Sequence, residues 1–262
     1  MGILEEIVKK KKDHVRLKKQ SLSLEKIMQL DLKYFEINNL ESILEKKNIL
    51  ISEMKRKSPS GGMLDKDLIP SNQADLYIKS GSDAISVLTE KDYFSGSNED
   101  LSEVLKISKE KKIPVLQKDF IIDEYQIYEA KQIGADSILL IIRILSDENY
   151  IKFYNLAESL GLSVIVEIHN EEELDLALKA DINILGINNR NLDTLSTNLE
   201  TFETLSSMVP KGIYKIAESG IRNSEDATRM INSGANGLLV GESIIKSKNI
   251  QEIISDIASK NV

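Results

Sequence analysis

The sequence predicts an α/β protein in which eight parallel strands and the helices between them close into one barrel. Eight short apolar runs recur along the chain, helix-period segments separate them, and the length of 262 residues fits one complete barrel of this kind. Hydrophobic residues make up 41% and charged residues 29%, a balance typical of a globular domain rather than a disordered chain. The predicted fold is therefore a single (β/α)8 TIM barrel with an N-terminal helical extension.

The eight predicted strands are rich in Ile, Leu and Val. They cover residues 49–51, 84–88, 113–116, 137–141, 163–166, 182–187, 213–217 and 237–240. Each run is continuously apolar rather than alternating, as expected of strands that are buried on both faces. The segments between them, such as 123–130 and 171–178, have a helical period. A doubly wound open sheet is the structural alternative, but no glycine-rich dinucleotide fingerprint follows the first strand.

The chain before the first strand has the pattern of two or three helices. We assign residues 1–45 to an N-terminal helical extension packed on the barrel, and residues 46–262 to the barrel itself. Such an extension can close the bottom of the barrel or fold over its top. Its basic stretch, Lys9 to Lys12 with Lys18 and Lys19, is most simply explained as the solvated face of a helix. A surface for anionic ligands and a segment covering the active site are the alternatives.

Composition and charge argue against several classes of protein. The net charge of −8 disfavours nucleic acid as the main partner, and the absence of cysteine excludes disulfides and cysteine-based metal sites. Acidic residues stand where a signal peptide needs an apolar stretch, and the longest apolar run, 138–142, is too short to cross a bilayer. We therefore expect a soluble, cytoplasmic monomer that uses no metal, organic cofactor or membrane partner.

Polar side chains stand where many of the predicted strands end. They are Glu53 and Lys55 after the first strand, Lys118 after the third, Glu167 after the fifth, Asn188 and Arg190 after the sixth, and Glu218 after the seventh. The active site of such a barrel lies at the carboxyl ends of its strands, so these side chains are expected to meet at one mouth. A solvated turn explains any one of them equally well, but not the whole set. Lysines and carboxylates that converge shift one another's pKa, as acid–base catalysis requires.

The last two strands are followed by short segments that suit a phosphate group. Ser219 and Gly220 follow the seventh strand, and Gly241, Glu242 and Ser243 follow the eighth, each ahead of a helical segment. Backbone N–H groups beside glycine and at a helix N-terminus hold phosphate in many barrels. Because the carboxylate of Glu242 would repel phosphate, we expect that side chain to turn away while its backbone N–H binds.

The two histidines offer no obvious chemistry. His14 lies in the basic stretch, and His169 follows Glu167 by two residues. We explain His169 more readily as a loop or helix-capping residue than as a catalyst. No arrangement of serine, histidine and aspartate or of a nucleophilic cysteine is present.

The strand-end motifs occur in a characteristic order. They are EMKRKSPSG at 53–61, SVLTE at 86–90, YFSGS at 93–97, KDF at 118–120, VEIH at 166–169, GINNRNL at 186–192, AESGI at 217–221 and VGE at 240–242. Together they resemble the indole-3-glycerol-phosphate synthase family, and they span the whole barrel. The KRKSPS and NNRNL stretches are highly specific, whereas Glu-Ser-Gly is shared with other phosphate-binding barrels. Glu242 departs from those members that carry serine there.

This resemblance implies a carboxy-lyase of tryptophan biosynthesis. The implied substrate is 1-(2-carboxyphenylamino)-1-deoxyribulose 5-phosphate, which becomes indole-3-glycerol phosphate with loss of CO2 and water. By the same resemblance, Lys118 is the acid for ring closure. Glu167 and Glu53 are the acid–base and orienting carboxylates, and Lys55 holds the anionic groups of the substrate and assists dehydration.

The resemblance also implies binding residues. Those for the substrate are Ser58, Phe94, Phe120, Asn188, Arg190, Leu192 and Glu218, and Glu218 also supports the lysines electrostatically. Those for the phosphate are Lys55, Ser219, Gly220, Gly241 and Glu242. The N-terminal helices of this family help to cover the site.

Three alternatives from other classes stay open at this point. A phosphosugar barrel such as phosphoribosylanthranilate isomerase uses a Cys–Asp pair, and this chain has no cysteine. A non-catalytic barrel that keeps only phosphate affinity is disfavoured because Glu53, Lys55, Lys118 and Glu167 are all present. A nucleic-acid module built on the lysine-rich N-terminus is the least favoured.

Overall fold

The computed structural model describes residues 2–30 and 36–259 of the chain. Met1, residues 31–35 and residues 260–262, which the predicted extension and barrel include, lie outside the described residues. The barrel strands are β1 (Ile49–Met54), β2 (Ala84–Leu88), β3 (Val115–Lys118), β4 (Ser137–Ile141), β5 (Ser163–Ile168), β6 (Ile184–Asn188), β7 (Tyr214–Glu218) and β8 (Gly237–Val240). Each strand pairs in parallel with its sequence neighbours, and β8 pairs with β1. The prediction of a (β/α)8 TIM barrel is confirmed.

Helices alternate with these strands and surround the barrel. They are α1 (Ile3–Ser21), α2 (Leu24–Gln29), α3 (Glu41–Leu44), α4 (Pro70–Ser80), α5 (Asn98–Glu110), α6 (Glu124–Ile133), α7 (Asp147–Ser159), α8 (Glu171–Ala177), α9 (Glu200–Ser206), α10 (Ser224–Asn232), α11 (Glu242–Lys246) and α12 (Ile250–Ala258). A small hairpin of Lys57–Ser58 with Gly62–Met63 follows β1, and a 3-10 turn, Ile142–Ile144, follows β4. No helix in the described part of the chain has both the length and the apolar character that crossing a membrane needs.

Short polar side chains fix where several of the helices begin. Asp123, Ser146 and Asn170 precede α6, α7 and α8, and each accepts a hydrogen bond from a backbone N–H of the first turn. Gly134 ends α6 with a φ of 99°, a left-handed conformation that glycine adopts without strain. These caps begin each helix a few residues after its strand, at the rim where the carboxyl ends of the parallel strands lie.

Several strands extend further than their apolar runs predict. β1 continues to Met54 and β5 to Ile168, while β3 starts later and ends at Lys118. The backbone ladder continues because hydrogen bonding to the neighbouring strand does not depend on side-chain polarity. Consequently Glu53, Lys118 and Glu167 lie within hydrogen-bonded strands rather than in loops.

Alternate residues of the strands fill the inside of the barrel. The inner apolar layer consists mainly of Ile49, Ile51, Leu116, Leu139, Ile165, Ile184, Ile216 and Leu239. Four charged residues each follow a member of this layer by two positions on the same strand. They are Glu53 on β1, Lys118 on β3, Glu167 on β5 and Glu218 on β7. Because side chains alternate along a strand with a period of two, these charged groups point into the same interior, above the apolar layer.

The N-terminal extension reaches both ends of the barrel. On α1, Ile7 is buried at the mouth formed by the carboxyl ends of the strands. At the opposite end, Leu40 and Leu44 pack into the inner layer. The extension thus closes the bottom of the barrel and also folds over its top, two arrangements that the sequence presents as alternatives. The predicted boundary at residues 45 and 46 falls between α3 and β1.

The basic stretch on α1 is bound to the barrel. Three lysines make ion pairs with acidic residues near the mouth: Lys11–Asp119 at 2.6 Å, Lys18–Glu129 at 2.7 Å and Lys19–Asp123 at 2.7 Å. The side chain of Lys11 is only 8% exposed. The expectation of a solvated face is therefore wrong for Lys11, and Lys19 is half-buried, whereas Lys9, Lys10, Lys12 and Lys18 are exposed as expected. Complementary charge attaches α1 across the mouth as a covering segment.

Candidate active site

One cavity of about 480 Å³ opens at the carboxyl ends of the strands, within the size range of small-molecule sites. Every site residue predicted from the sequence lines it. These residues are Glu53, Lys55, Ser58, Phe94, Lys118, Phe120, Glu167, Asn188, Arg190, Leu192, Glu218, Ser219, Gly220, Gly241 and Glu242. The structure therefore brings together groups that are scattered over almost two hundred positions of sequence.

Lys118 lies between two carboxylates inside the barrel. Its Nζ is 2.6 Å from Oε2 of Glu218 and 3.3 Å from Oε2 of Glu167. Both glutamate side chains are almost fully buried, while the lysine is 15% exposed. An ammonium in this position can donate a hydrogen bond or a proton to a ligand without leaving its two partners.

The charges around Lys118 set its own pKa and that of Glu167. Burial acts to lower the pKa of Lys118, but the adjacent carboxylates outweigh burial and raise it. Burial likewise acts to raise the pKa of Glu167, but Lys118 and His169 outweigh it and hold that pKa well below the usual range. At neutral pH this pair is therefore an ammonium and a carboxylate.

Glu218 has the opposite character. Burial raises its pKa above the usual range, Lys118 opposes this only in part, and the charge of Glu167 adds to the rise. Room for the carboxyl group comes from Gly186, where a Cβ would stand only 2.3 Å from Oε1 of Glu218. Glycine at position 186 is thus required by the close approach of a catalytic-site side chain rather than by backbone conformation.

Glu53 and Lys55 form a second lysine–carboxylate pair on β1 and just beyond it. Nζ of Lys55 is hydrogen-bonded to Oε1 of Glu53, and both side chains are largely buried. A Cβ on Gly241 would lie 2.7 Å from that same Oε1, so this glycine also makes space for a carboxylate. The charge of Glu53 contributes to the raised pKa of Lys118, which places both pairs in one electrostatic unit.

The residues predicted to bind phosphate line the cavity where it is bounded by the segments after β7 and β8. Ser219 and Gly220 have φ angles of 63° and 82°, so two consecutive left-handed residues make a tight turn at the rim. The carbonyl of Ser219 accepts a hydrogen bond of 3.1 Å from Nδ2 of Asn189, which fixes the turn. The first N–H groups of α11, which begins at Glu242, have no acceptor within their own helix. Such donors are suited to an anion.

The carboxylate of Glu242 is bound by two cations of the rim. Its Oε2 is 3.2 Å from Nη2 of Arg190, and its Oε1 is 2.6 Å from Nζ of Lys246. The carboxylate is thus paired within the site rather than turned out to solvent, and its repulsion of an anion is partly neutralised. That its backbone N–H binds phosphate stays a prediction.

An apolar wall stands on the β2 and β3 side. The rings of Phe94 and Phe120 lie 6.0 Å apart and are tilted by 37°. The carboxylate of Glu90 accepts hydrogen bonds from the backbone N–H groups of Tyr93 and Phe94, at 2.7 and 3.2 Å, and holds their loop against the mouth. The two rings offer an aromatic ligand a surface of the right chemistry.

The sequence missed some residues of the cavity. Ile3, Leu4 and Ile7 of α1 line it, because the extension folds over the mouth. The lining also contains Thr197, Arg222 and Lys246, which no motif marked, and Asp119 and Ser243, which lie within strand-end segments that the sequence does identify. For α1, the apolar spacing of residues 3, 4 and 7 marks a buried face but does not say which end of the barrel it covers.

His169 is placed differently from what we expected of a loop residue. It directly follows β5, and its backbone N–H donates a 2.8 Å hydrogen bond to Glu173 near the start of α8, which is a capping position. Its ring, however, is buried, with Nε2 3.2 Å from Oε1 of Glu167. The interpretation as a capping residue describes its backbone but not its side chain.

The fold and the family comparison together define a (β/α)8-barrel enzyme, and its candidate site has a lysine–carboxylate centre. Comparison with known proteins gives the particular family. The family model of indole-3-glycerol phosphate synthase matches residues 4–257, and the chain belongs to this family. The family is one of carboxy-lyases in tryptophan biosynthesis, as the strand-end motifs implied.

Relatives along the full length agree with this assignment. The chain is 40% identical over 259 residues to the indole-3-glycerol phosphate synthase of Thermoanaerobacter pseudethanolicus, covering 98% of each chain. It is 42% identical over 265 residues to that of Clostridium kluyveri, covering 98% of this chain and 99% of the relative.

Solved structures of other barrels share the fold alone. 3-Hexulose-6-phosphate synthase from Salmonella typhimurium matches with a TM-score of 0.65 at 14% identity, over 81% of this chain and 97% of that one. A thiamine phosphate pyrophosphorylase from Pyrococcus furiosus matches with a TM-score of 0.61 at 14% identity, over 83% and 96%.

Proposed function

We propose that this chain closes the indole ring of 1-(2-carboxyphenylamino)-1-deoxyribulose 5-phosphate, with loss of CO2 and water, through Lys118 and the carboxylates around it. The observation that carries the proposal is the position of Lys118 between Glu167 and Glu218, in a cavity that is also lined by the Ser219–Gly220 turn. Membership of the synthase family supports the reaction, and the geometry of the site supports the roles of the residues.

The substrate is held at its two ends. The phosphate binds to N–H groups of the Ser219–Gly220 turn and of the start of α11, beginning with Gly241 and Glu242. At the other end, Phe94 and Phe120 pack against the aromatic ring, with Leu192 closing the same wall. Lys55 pairs with an anionic group of the substrate, and Ser58, Asn188 and Arg190 meet its polar groups.

Ring closure needs an acid at the ketone oxygen. Lys118 donates a proton to that oxygen as the aromatic carbon attacks the carbonyl carbon, and the negative charge that develops is stabilised by the ammonium. The neighbouring carboxylates raise the pKa of Lys118, yet a developing alkoxide is a stronger base than an amine. The transfer is therefore favourable only as the new bond forms, and the ammonium stays charged until then.

Loss of CO2 returns the bonding electrons to the six-membered ring and restores its aromaticity, and dehydration then completes the pyrrole ring of the indole. Loss of water needs an acid at the leaving hydroxyl and a base for the proton that is removed. Glu167, whose pKa is held low, is the base. Glu53 orients Lys55, which assists departure of the hydroxyl, and Glu218 stabilises the ammonium of Lys118.

The test of the reaction is an indole-fluorescence assay with purified protein and the carboxyphenylamino substrate. Product fluorescence is the expected result, and a folded protein that yields none with authentic substrate would disprove the activity. Lys118→Met is expected to lower kcat by at least about 100-fold, the lower end of what a general acid contributes. Lys106→Met, at an exposed position on α5, is the matched control and should keep the kcat of the unchanged chain.

A second variant separates proton donation from charge. Lys118→Arg keeps a cation between the two glutamates, but a guanidinium does not give up its proton. We expect it to bind the substrate, measured by equilibrium titration, and to lose kcat as Lys118→Met does. Retention of kcat by Lys118→Arg would contradict the role as acid and leave only an electrostatic one.

We also propose that the chain acts as a monomer in the cytoplasm. Its own α1 covers the mouth of its own barrel, so the cavity needs no residue from a second copy. Sedimentation equilibrium at working concentration is expected to give the mass of one chain, and a stable dimer would contradict the proposal.

A further inference from the structure

A buried imidazole stands behind Glu167, on the side away from Lys118. Nε2 of His169 is 3.2 Å from Oε1 of Glu167, whereas Lys118 contacts the other oxygen, Oε2. This contact is an ion pair rather than an aligned hydrogen bond, since Nε2 has no hydrogen-bond partner within the described residues. The ring does not line the cavity, so it cannot touch a substrate there.

The other side of the ring is held by a second carboxylate. Nδ1 of His169 is 3.0 Å from Oε2 of Glu173, whose Oε1 in turn accepts hydrogen bonds from Nε of Arg143, at 2.8 Å, and from Nδ2 of Asn170, at 3.1 Å. Both the imidazole and Glu173 are buried. Charges thus alternate from the interior outward: Lys118, Glu167, His169, Glu173 and Arg143.

Two carboxylates around one ring favour its doubly protonated form. Burial acts to lower the pKa of His169, but Glu167 and Glu173 outweigh it and raise the pKa to about 9. The ring is therefore a cation at neutral pH, with a proton on each nitrogen. This fits the pattern of neighbours, because a neutral ring would place a lone pair against one of the two carboxylates.

We propose that His169 is a positioning residue that acts through Glu167: as an imidazolium it keeps the carboxylate of Glu167 ionised and fixes its orientation toward Lys118 and the substrate. Glu173 and Arg143 hold the imidazolium in place. This proposal rests on the role of Glu167 as the base in the proposed function. A helix cap alone would need only the backbone N–H of His169 and the side chain of Asn170, and would leave the ring free to face solvent.

The charge of the ring can be measured directly. The chain has two histidines, so protein labelled with 15N-histidine gives two sets of ring signals, and the His14→Gln variant removes one of them. At pH 7.5 we expect both ring nitrogens of His169 to be protonated, with loss of a proton near the pKa of about 9. A neutral ring at pH 7.5 would overturn the proposal, whatever the activity of the protein.

The kinetic test is His169→Gln, which keeps a polar side chain without the positive charge. We expect kcat to fall roughly 10- to 100-fold, the range seen when an outer partner of a functional ligand is removed, while KM changes less than about 2-fold. Without the cation the pKa of Glu167 rises, so the acid side of the kcat profile is expected to move to higher pH. Unchanged kcat and an unshifted profile would overturn the proposal.

Ser146→Ala is the matched control. It removes the side chain that caps the neighbouring helix, α7, by accepting a hydrogen bond from the N–H of Asn149, and it leaves the ring and Glu173 untouched. A comparable lowering of Tm with near-normal kcat is expected. If it lowers kcat as much as His169→Gln does, the effect comes from lost stability and the proposal fails.

Two further variants complete the design. Glu167→Gln tests the proposed function separately. Full activity of this variant would show that Glu167 is not the base. An inactive Glu167→Gln together with a fully active His169→Gln would refute only the inference about His169. If His169→Gln does not fold, Glu173→Gln takes its place. It removes one carboxylate from the ring, so the 15N signals of His169 should lose a proton at a lower pH than in the unchanged chain. An unshifted titration would count against the arrangement.

Discussion

Lys118 contacts two glutamate carboxyl groups, one on β5 and one on β7, whose electrostatic surroundings are opposite. Glu167 on β5 has Lys118 in front of it and His169 behind it. Glu218 on β7 has Lys118 alone, and its Oε1 is buried without a hydrogen-bond partner in the part of the chain that the structure describes. The pKa of the first carboxyl is lowered and that of the second is raised.

This difference teaches that contact with the lysine does not by itself decide which carboxyl stays ionised. Both glutamates are buried and both touch the same ammonium, at distances that would favour Glu218 as the more strongly ionised. His169 behind Glu167 and the mutual effect of the two carboxyls, which lowers the pKa of Glu167 and raises that of Glu218, reverse that order. Pairs of titratable groups whose environments push their pKa values apart are the usual arrangement of acid and base in enzymes.

Replacing the two glutamates separately is expected to give the largest effect. Glu167→Gln removes the base without changing the shape of the side chain, and kcat should fall about 1,000-fold, within the range of general acid–base catalysis. Glu218→Gln keeps an oxygen for Lys118 and should lower kcat only about 10-fold, equivalent to about 1.4 kcal/mol. Steady-state rates by indole fluorescence make the comparison, and equal losses would show that the two sides do not differ in role.

The position of Glu218 can be changed without altering any charge. Gly186→Ala places a methyl group 2.3 Å from Oε1 of Glu218 and 3.0 Å from Cγ2 of Ile165, so the carboxyl must move. Displacement of a catalytic-site group by about 1 Å costs roughly 100-fold in rate, and we expect up to that loss in kcat.

Gly237→Ala is the control for crowding inside the barrel. There the new methyl would contact Ile49 and Ile216 at 3.2 and 3.3 Å, at the end away from the carboxylates. It should lower Tm in thermal unfolding but leave kcat within about 2-fold, because no catalytic-site group lies against it. If Gly186→Ala behaves in the same way, the geometry of Glu218 does not matter to the reaction.

A third carboxylate, Asp119, extends the comparison to the covering helix. It follows Lys118 directly and, like Glu167, is held by its own cation, Lys11 of α1. Lys11→Met leaves a buried carboxylate without its counter-charge, so the free energy of unfolding should fall by about 3 kcal/mol. Lys18→Met breaks the more exposed pair with Glu129 and should cost under about 1 kcal/mol. Equal losses in urea unfolding would show that burial of the Lys11 pair is not what holds α1.

Much of this arrangement could be predicted from the sequence, because the barrel enforces it. Continuous apolar runs identify buried parallel strands, and the fold then requires that the residues at their carboxyl ends meet. Lys118, Glu167 and Glu218 were found in this way without knowledge of any distance. The strand ends themselves were misjudged, since charged residues such as Glu53 continue the backbone ladder.

Other features depend on where side chains point, which the pattern does not contain. The burial of Lys11 needs the position of α1 relative to Asp119, and a run of lysines looks the same whether solvated or paired. The sequence predicts a helix-capping role for His169 because the residue lies between β5 and the start of α8, where capping residues are found. Only the rotamer of its ring, directed at Glu167, distinguishes the two roles.

The smallest expected effect is the pH dependence of stability, in which the two glutamates should differ in sign. A carboxyl with a lowered pKa stabilises the fold above the ordinary value of 4.5, and this stability is lost as the pH falls. A carboxyl with a raised pKa destabilises the fold progressively as the pH rises above 4.5, because the folded state holds its proton more tightly than the unfolded chain does.

The two variants are therefore compared with the unchanged chain in different pH windows. The difference in Tm for Glu167→Gln should be more negative at pH 5 than at about pH 3.5, because the stability from a lowered pKa is lost only below the ordinary value. The difference for Glu218→Gln should be more positive at pH 8 than at pH 5, because glutamine is neutral at both pH values and resembles the protonated acid. An effect of about 1 kcal/mol corresponds to about 2–4 °C for a domain of this size. Thermal unfolding of the three proteins measures the differences, and a change of the same sign with rising pH in both variants would mean that the two sides of Lys118 do not differ.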